Sequence, residues 1–139
     1  MPYPKQAAAE LRLRYLSEAI DTAAPAVRLT MLVDRLEMDL RAADAGFAEG
    51  DLKKVSDGLV HAQEIVLTLR DSLRIDQWEG APRLHGLYTH LYNELVGANL
   101  TKDRERAAAA AVLLGQIAQA WRDAAILNQK MLEPVGGVG

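Results

Sequence analysis

Six apolar residues, Val55, Leu59, Ala62, Val66, Leu69 and Leu73, recur at spacings of 4, 3, 4, 3 and 4. A strand would scatter that series over both of its faces. A helix gathers it into one stripe, the seam along which the helices of a bundle interlock. Three further segments share the period: Leu29, Leu32, Val33, Leu36, Leu40 and Ala43; then Leu84, Leu87, Tyr88, Leu91, Leu95 and Ala98; then Ala110, Leu114, Ile117, Trp121 and Ala125. No segment shows sustained alternation, so an all-α chain is expected.

The helix-breaking residues agree with that segmentation. Prolines stand at 2, 4, 25, 82 and 134, at ends or junctions. Thr22 suits an N-cap and Pro25 falls in a first turn, where a missing N–H costs little. From there a helix is expected to about Phe47, closed by AEGD around Gly50. A second starts near Asp51, RIDQWEGAP breaks it, Pro82 opens a third, and Thr101 or Asp103 in NLTKD caps a fourth. Short loops between helices of similar length favour an antiparallel up-down four-helix bundle. Residues 6–20 form a weaker helical candidate ahead of it. The expected organisation is an N-terminal segment, partly helical, over 1–24, a bundle over 25–127 and a frayed tail over 128–139.

The 139 residues are half hydrophobic with a net charge of -3, enough for one domain with its own core. Sixteen Lys and Arg against nineteen Asp and Glu give no general phosphate-binding surface, so nucleic acid is not an expected partner. The N-terminus lacks the basic-then-apolar layout of a signal peptide. The longest apolar-leaning run, AAAAAVLLGQIAQAW, is 15 residues with two glutamines, too short and polar for a bilayer. A cytoplasmic protein with no membrane insertion is expected.

Bundle chemistry has its own requirements. Di-iron carboxylate bundles need Glu-x-x-His pairs, but Gly58, Pro82 and Leu87 stand three residues before His61, His85 and His90. There is no cysteine, and none of Ser17, Ser56 and Ser72 lies in a Gly-x-Ser-x-Gly elbow. No Gly-rich phosphate loop follows a strand. Hence no catalytic residue, metal or cofactor is expected, and the chain is not expected to be an enzyme.

What remains is surplus apolar surface. Met31 and Met38 lie seven residues apart on the flank of the first stripe, Val60, Ile65 and Leu67 lie beside the second, and Tyr92 and Val96 beside the third. These residues either widen the core or close a homodimer, or they line a groove for an amphipathic partner segment, to which methionines adapt readily. The alanines at 107–111 can leave a trough on the fourth helix. Periodicity alone leaves both readings open, and with them a self-associating bundle with an assembly role.

YLSEAIDTAAPAVRLTMLVDRLEMDLRAA resembles the signature of the flagellar export chaperone FliS family, in which a Tyr precedes a Thr-Ala-Ser-Pro-like turn and a Leu-x-x-Met-Leu-Tyr-Asp-Gly helix. HAQEIVLTLRDSL is similar to the family's Lys-Ala-Gln-x-Ile-Ile-x-x-Leu stretch, LYTHLYNELVGANLTKD to its Leu-Tyr-x-Tyr block ending in Ala-Asn-x-x-x-Asp, and Ala120 with Trp121 to the end of its last long helix. The resemblance covers about residues 11–125 in order. Departures are Val33 for Tyr, Arg35 for Gly, Ala24 for Ser, His61 for Lys, His90 for Tyr, and a single Gly80 for a Gly-Gly pair.

The resemblance implies a four-helix bundle that binds the disordered C-terminal segment of flagellin, prevents premature polymerisation and delivers it to an export-gate component. It also implies that the segment carrying Tyr15 and Ile20 can cover part of the binding surface; a permanently packed fifth helix is the competing reading. Met31 and Met38 then line the client path or lie beneath that segment. The candidate partner-binding residues are Tyr15, Ile20, Met31, Met38, Val60, Ile65, Leu67, Tyr88, Tyr92 and Val96, on a monomer or weak homodimer. Asn99 is expected to tie the end of the third helix and Asp103 to favour the start of the fourth.

Overall fold

The computed structural model describes residues 25–73 and 79–132, and within them four helices: α1 (Pro25–Glu49), α2 (Leu52–Asp71), α3 (Ala81–Thr101) and α4 (Arg104–Leu132). Tyr15 and Ile20 lie outside the described residues. The helix ends follow the sequence closely, with three differences, the first being that α2 ends at Asp71, so Leu73 of its expected seam lies beyond it. Helix α3 begins at Ala81, one residue before Pro82, and α4 continues to Leu132, past residue 127, where the bundle was expected to end.

Local chemistry sets the junctions. Gly50, at φ 69°, ends α1: its N–H donates to Phe47 O at 3.2 Å and the Asp51 N–H to Gly46 O at 2.8 Å, the paired bonds of a Schellman motif. Asp51 then caps α2, its carboxylate accepting from the Lys54 N–H at 3.1 Å. At the other short junction Lys102 takes the left-handed conformation at φ 52°, and the Asp103 N–H donates to Ala98 O. Asp103 caps α4 by accepting from the Arg106 N–H at 3.1 Å, as its position at that junction suggested. Asn99 does hold the end of α3, accepting from Lys102 Nζ at 2.5 Å and donating to Ser56 Oγ of α2 at 3.4 Å.

Each helix packs on two neighbours, α1 on α2 and α4, and α3 on α2 and α4, so the four close a ring around one core. The polar contacts fix the directions. Arg122, late in α4, pairs with Asp34, early in α1, whereas Arg104, early in α4, pairs with Asp44, late in α1. The seams supply the interior: Val33, Leu36, Val55, Leu59, Val66, Leu69, Leu91, Leu95 and Leu114 are all at or below 1 % exposure. Each such side chain stabilises the fold by roughly 1.5–3 kcal/mol relative to exposure.

Small residues bring α1 and α2 closest together. A Cβ on Gly58 would stand 2.7 Å from Asp39 O, and one on Gly46 would stand 2.8 Å from Val55 N. The contacts there are backbone, not flexible side-chain ends. Two candidate binding residues also turn inward: Tyr88 is 0 % and Ile65 5 % exposed. Tyr88 belongs to the α3 seam. Ile65 lies one turn from Leu69 and Ala62, on the flank of α2 that faces α1. Both are core residues in the folded chain, so neither forms part of its open surface.

Candidate functional site

The outer edge of the α2–α3 seam is framed by two polar latches. Asn99 Nδ2 donates to Ser56 Oγ at one end, and Arg70 Nη1 reaches Thr89 Oγ1 at 3.5 Å at the other. Helical spacing places Val60, Gln63 and Leu67 between Ser56 and Arg70 on one stripe of α2, and Tyr92 and Val96 between Thr89 and Asn99 on the facing stripe of α3. Val60 is exposed, while Leu67, Tyr92 and Val96 are half-buried. The result is an antiparallel apolar strip with polar ends, open to solvent along one side.

A second strip follows α1. Val27 and Met38 are more than half exposed and Met31 is half-buried; with Arg35 and Ala42 they form one stripe at spacings of 4, 4, 3 and 4. Beside it Asp39, a carboxylate only 6 % exposed, meets His61 Nδ1 of α2 through one oxygen. Arg35 Nε lies 3.2 Å from the other. Burying a carboxylate without partners would cost several kcal/mol, so this pairing is what makes Asp39 tolerable at the α1–α2 seam.

Helix α4 contributes small side chains, and troughs form on both of its sides. Between α1 and α4 a trough of about 440 Å³ is floored by Leu40, Leu59, Ala107, Ala111 and Gly115, as the alanine run suggested. Arg104 closes one end on Asp44 at 2.9 and 3.3 Å, and Arg122 closes the other, bridging Asp34 at 2.6 Å and Glu37 at 2.5 Å. Between α3 and α4 a trough of about 380 Å³ is lined by Leu84, Leu87, Ile117, Ala120, Trp121 and Ala124. Trp121 stands at its edge, half-buried, with Nε1 donating to Tyr88 Oη at 2.7 Å. Burial pushes the Tyr88 hydroxyl above its ordinary pKa, against the smaller downward pull of the Trp121 hydrogen bond.

Arginine contacts hold two carboxyls below their usual range, Asp44 through the hydrogen bond from Arg104 and Glu94 through that from Arg106. The Arg106–Glu94 pair is bidentate, at 2.8 and 3.3 Å, and lies over Gly97, where any Cβ would meet the guanidinium. Among the described residues no three His, Asp or Glu side chains gather as a metal site, and no helix is long and apolar enough to cross a membrane.

The family model described as flagellar protein FliS matches residues 7–129. The chain belongs to the FliS family. A curated relative, the flagellar secretion chaperone FliS of Bacillus subtilis (strain 168), is 24 % identical over 124 residues, which span 89 % of this chain and 92 % of the relative.

Two of the departures from the FliS pattern, Arg35 and His61, meet at one carboxylate, Asp39. Of the candidate residues, the structure groups Val60, Leu67, Tyr92 and Val96 on the α2–α3 strip and Met31 with Met38 on the α1 strip. The α3–α4 trough was not anticipated. Its signal in the sequence was Trp121 flanked by Ala120 and Ala124, a large ring beside small neighbours on one helix.

Proposed function

We propose that this chain is a cytoplasmic chaperone of flagellar export, without catalytic activity. In this reading it holds the disordered C-terminal segment of flagellin on its apolar strips, prevents premature polymerisation and passes the segment to the export gate. The match to the FliS family over residues 7–129 carries the reading. The surface chemistry supports it, because a client whose apolar faces would otherwise associate needs long shallow grooves rather than one deep pocket. Ordering such a segment consumes about 2–5 kcal/mol, which contacts spread over two strips and two troughs can offset.

Within the site, Met31 and Met38 form one contact surface and Val60, Leu67, Tyr92 and Val96 another. The segment with Tyr15 and Ile20 competes with the client for part of that surface. The test is calorimetric titration of the full chain with the C-terminal segment of flagellin from the same organism. One-to-one binding tighter than about 1 μM, a gain in helix content and a negative heat-capacity change are expected. No heat and no helix gain at micromolar concentrations would remove the proposal.

A further inference from the structure

Arg35 is the only charged residue on the α1 strip, with Met31 one turn before it and Met38 one turn after. Its Nε is buried 3.2 Å from Asp39 Oδ1 without making a hydrogen bond, yet 32 % of its side chain remains open to solvent. Asp39 is already engaged on its other oxygen by His61. Among the described residues no second carboxylate pairs with Arg35. A guanidinium has five N–H donors, and the ion pair with Asp39 runs through Nε.

We propose that Arg35 is a specificity-determining residue for the client: its outer N–H groups pair with a carboxylate of the bound segment, whose apolar neighbours rest on Met31 and Met38. The inference builds on the flagellin-chaperone reading. Arg122 shows that this bundle accommodates an arginine bridging two carboxylates, since it holds Asp34 and Glu37 together. The physical argument is one of exclusion. A purely apolar segment laid over the strip would strip water from a cation whose outer donors then have no partner, a penalty that a segment carrying an acid at that position avoids. Asp39 and His61 serve as positioning residues in this proposal, Asp39 through its ion pair with Arg35 and His61 by holding the other Asp39 oxygen.

The experiment titrates the full chain, unmodified and as R35Q and R35K, with the flagellin C-terminal segment and with versions in which each Asp or Glu is changed singly to Asn or Gln. With the unmodified chain, one such change should weaken binding by about tenfold, and the same change should have no effect on R35Q. R35K should retain part of the difference, because it keeps the charge but loses the fork. The peptide arm needs no variant to fold. If every amide substitution costs the same on the unmodified chain and on R35Q, this inference fails while the chaperone reading stands; if the unmodified chain binds no version, both fail.

Discussion

At the scale of single residues, glycine position separates two effects that a sequence cannot distinguish. Gly58 and Gly86 are both helical, yet a Cβ at Gly58 meets the α1 backbone at 2.7 Å, whereas one at Gly86 meets nothing within 4 Å. Gly58→Ala should therefore destabilise the fold by about 1–3 kcal/mol through forced separation of α1 and α2, despite alanine's better helix propensity. Gly86→Ala should stabilise it by about 0.5–1 kcal/mol, because only the propensity changes. Denaturant melts of the two variants check both signs, and equal effects would show that the close approach does not bear load. Ile65 teaches the same lesson. Its spacing placed it beside the seam, and only the order of helices around the ring decides that this flank faces α1 while the flank with Val60 faces outward. Asp39 and His61 are 22 residues apart, and their meeting depends on the register that the Gly50 turn imposes.

At the scale of elements, the four seams were legible because each is a long run of one period. The troughs beside α4 were legible only in part, through the alanines, since a trough is a property of two helices and their separation. Helix α4 is tied to its neighbours through arginines: Arg104 to Asp44 and Arg122 to Asp34 and Glu37 on α1, and Arg106 to Glu94 on α3. Arg104 holds the Asp44 carboxyl, and Arg106 the Glu94 carboxyl, below the usual range. A carboxyl whose pKa is lower in the folded state contributes stability that is present above its ordinary pKa and lost as pH falls through the folded value. The melting temperature should thus decline from about pH 5 to about pH 3, with loosening centred on α4. R104Q and R106Q should each lower stability at neutral pH by the same small amount by which they reduce that decline, because what acid removes is the contribution the exposed pair makes above the ordinary pKa. A decline of unchanged size in both variants would move the acid sensitivity elsewhere.

At the scale of the whole molecule, the two ends of the bundle differ in how completely they close. At the end formed by the α1–α2 and α3–α4 turns, Ala43, Val55, Leu95, Ala98 and Ala107 are all buried. At the opposite end Leu29, Leu32, Leu73, Leu84, Leu87 and Trp121 are only half-buried, and it is here that residues 1–24 join α1. The ring itself closes through contacts of residues from 25 onward. A chain lacking residues 1–20 should for that reason keep its helical content and melt cooperatively. If the deleted segment competes with the client, removing it should also leave flagellin binding unchanged or tighten it, because the free protein no longer spends part of its population in a covered state. An integral fifth helix makes the opposite prediction: loss of Leu11, Leu16 and Ile20 would open the half-buried end at a cost of about 2–5 kcal/mol for each well-packed side chain. Thermal melts and titration of the truncated chain separate the cases. A large fall in melting temperature together with weaker binding would assign Tyr15 and its neighbours to the core, and with it the sealing of the end that the four described helices leave half open.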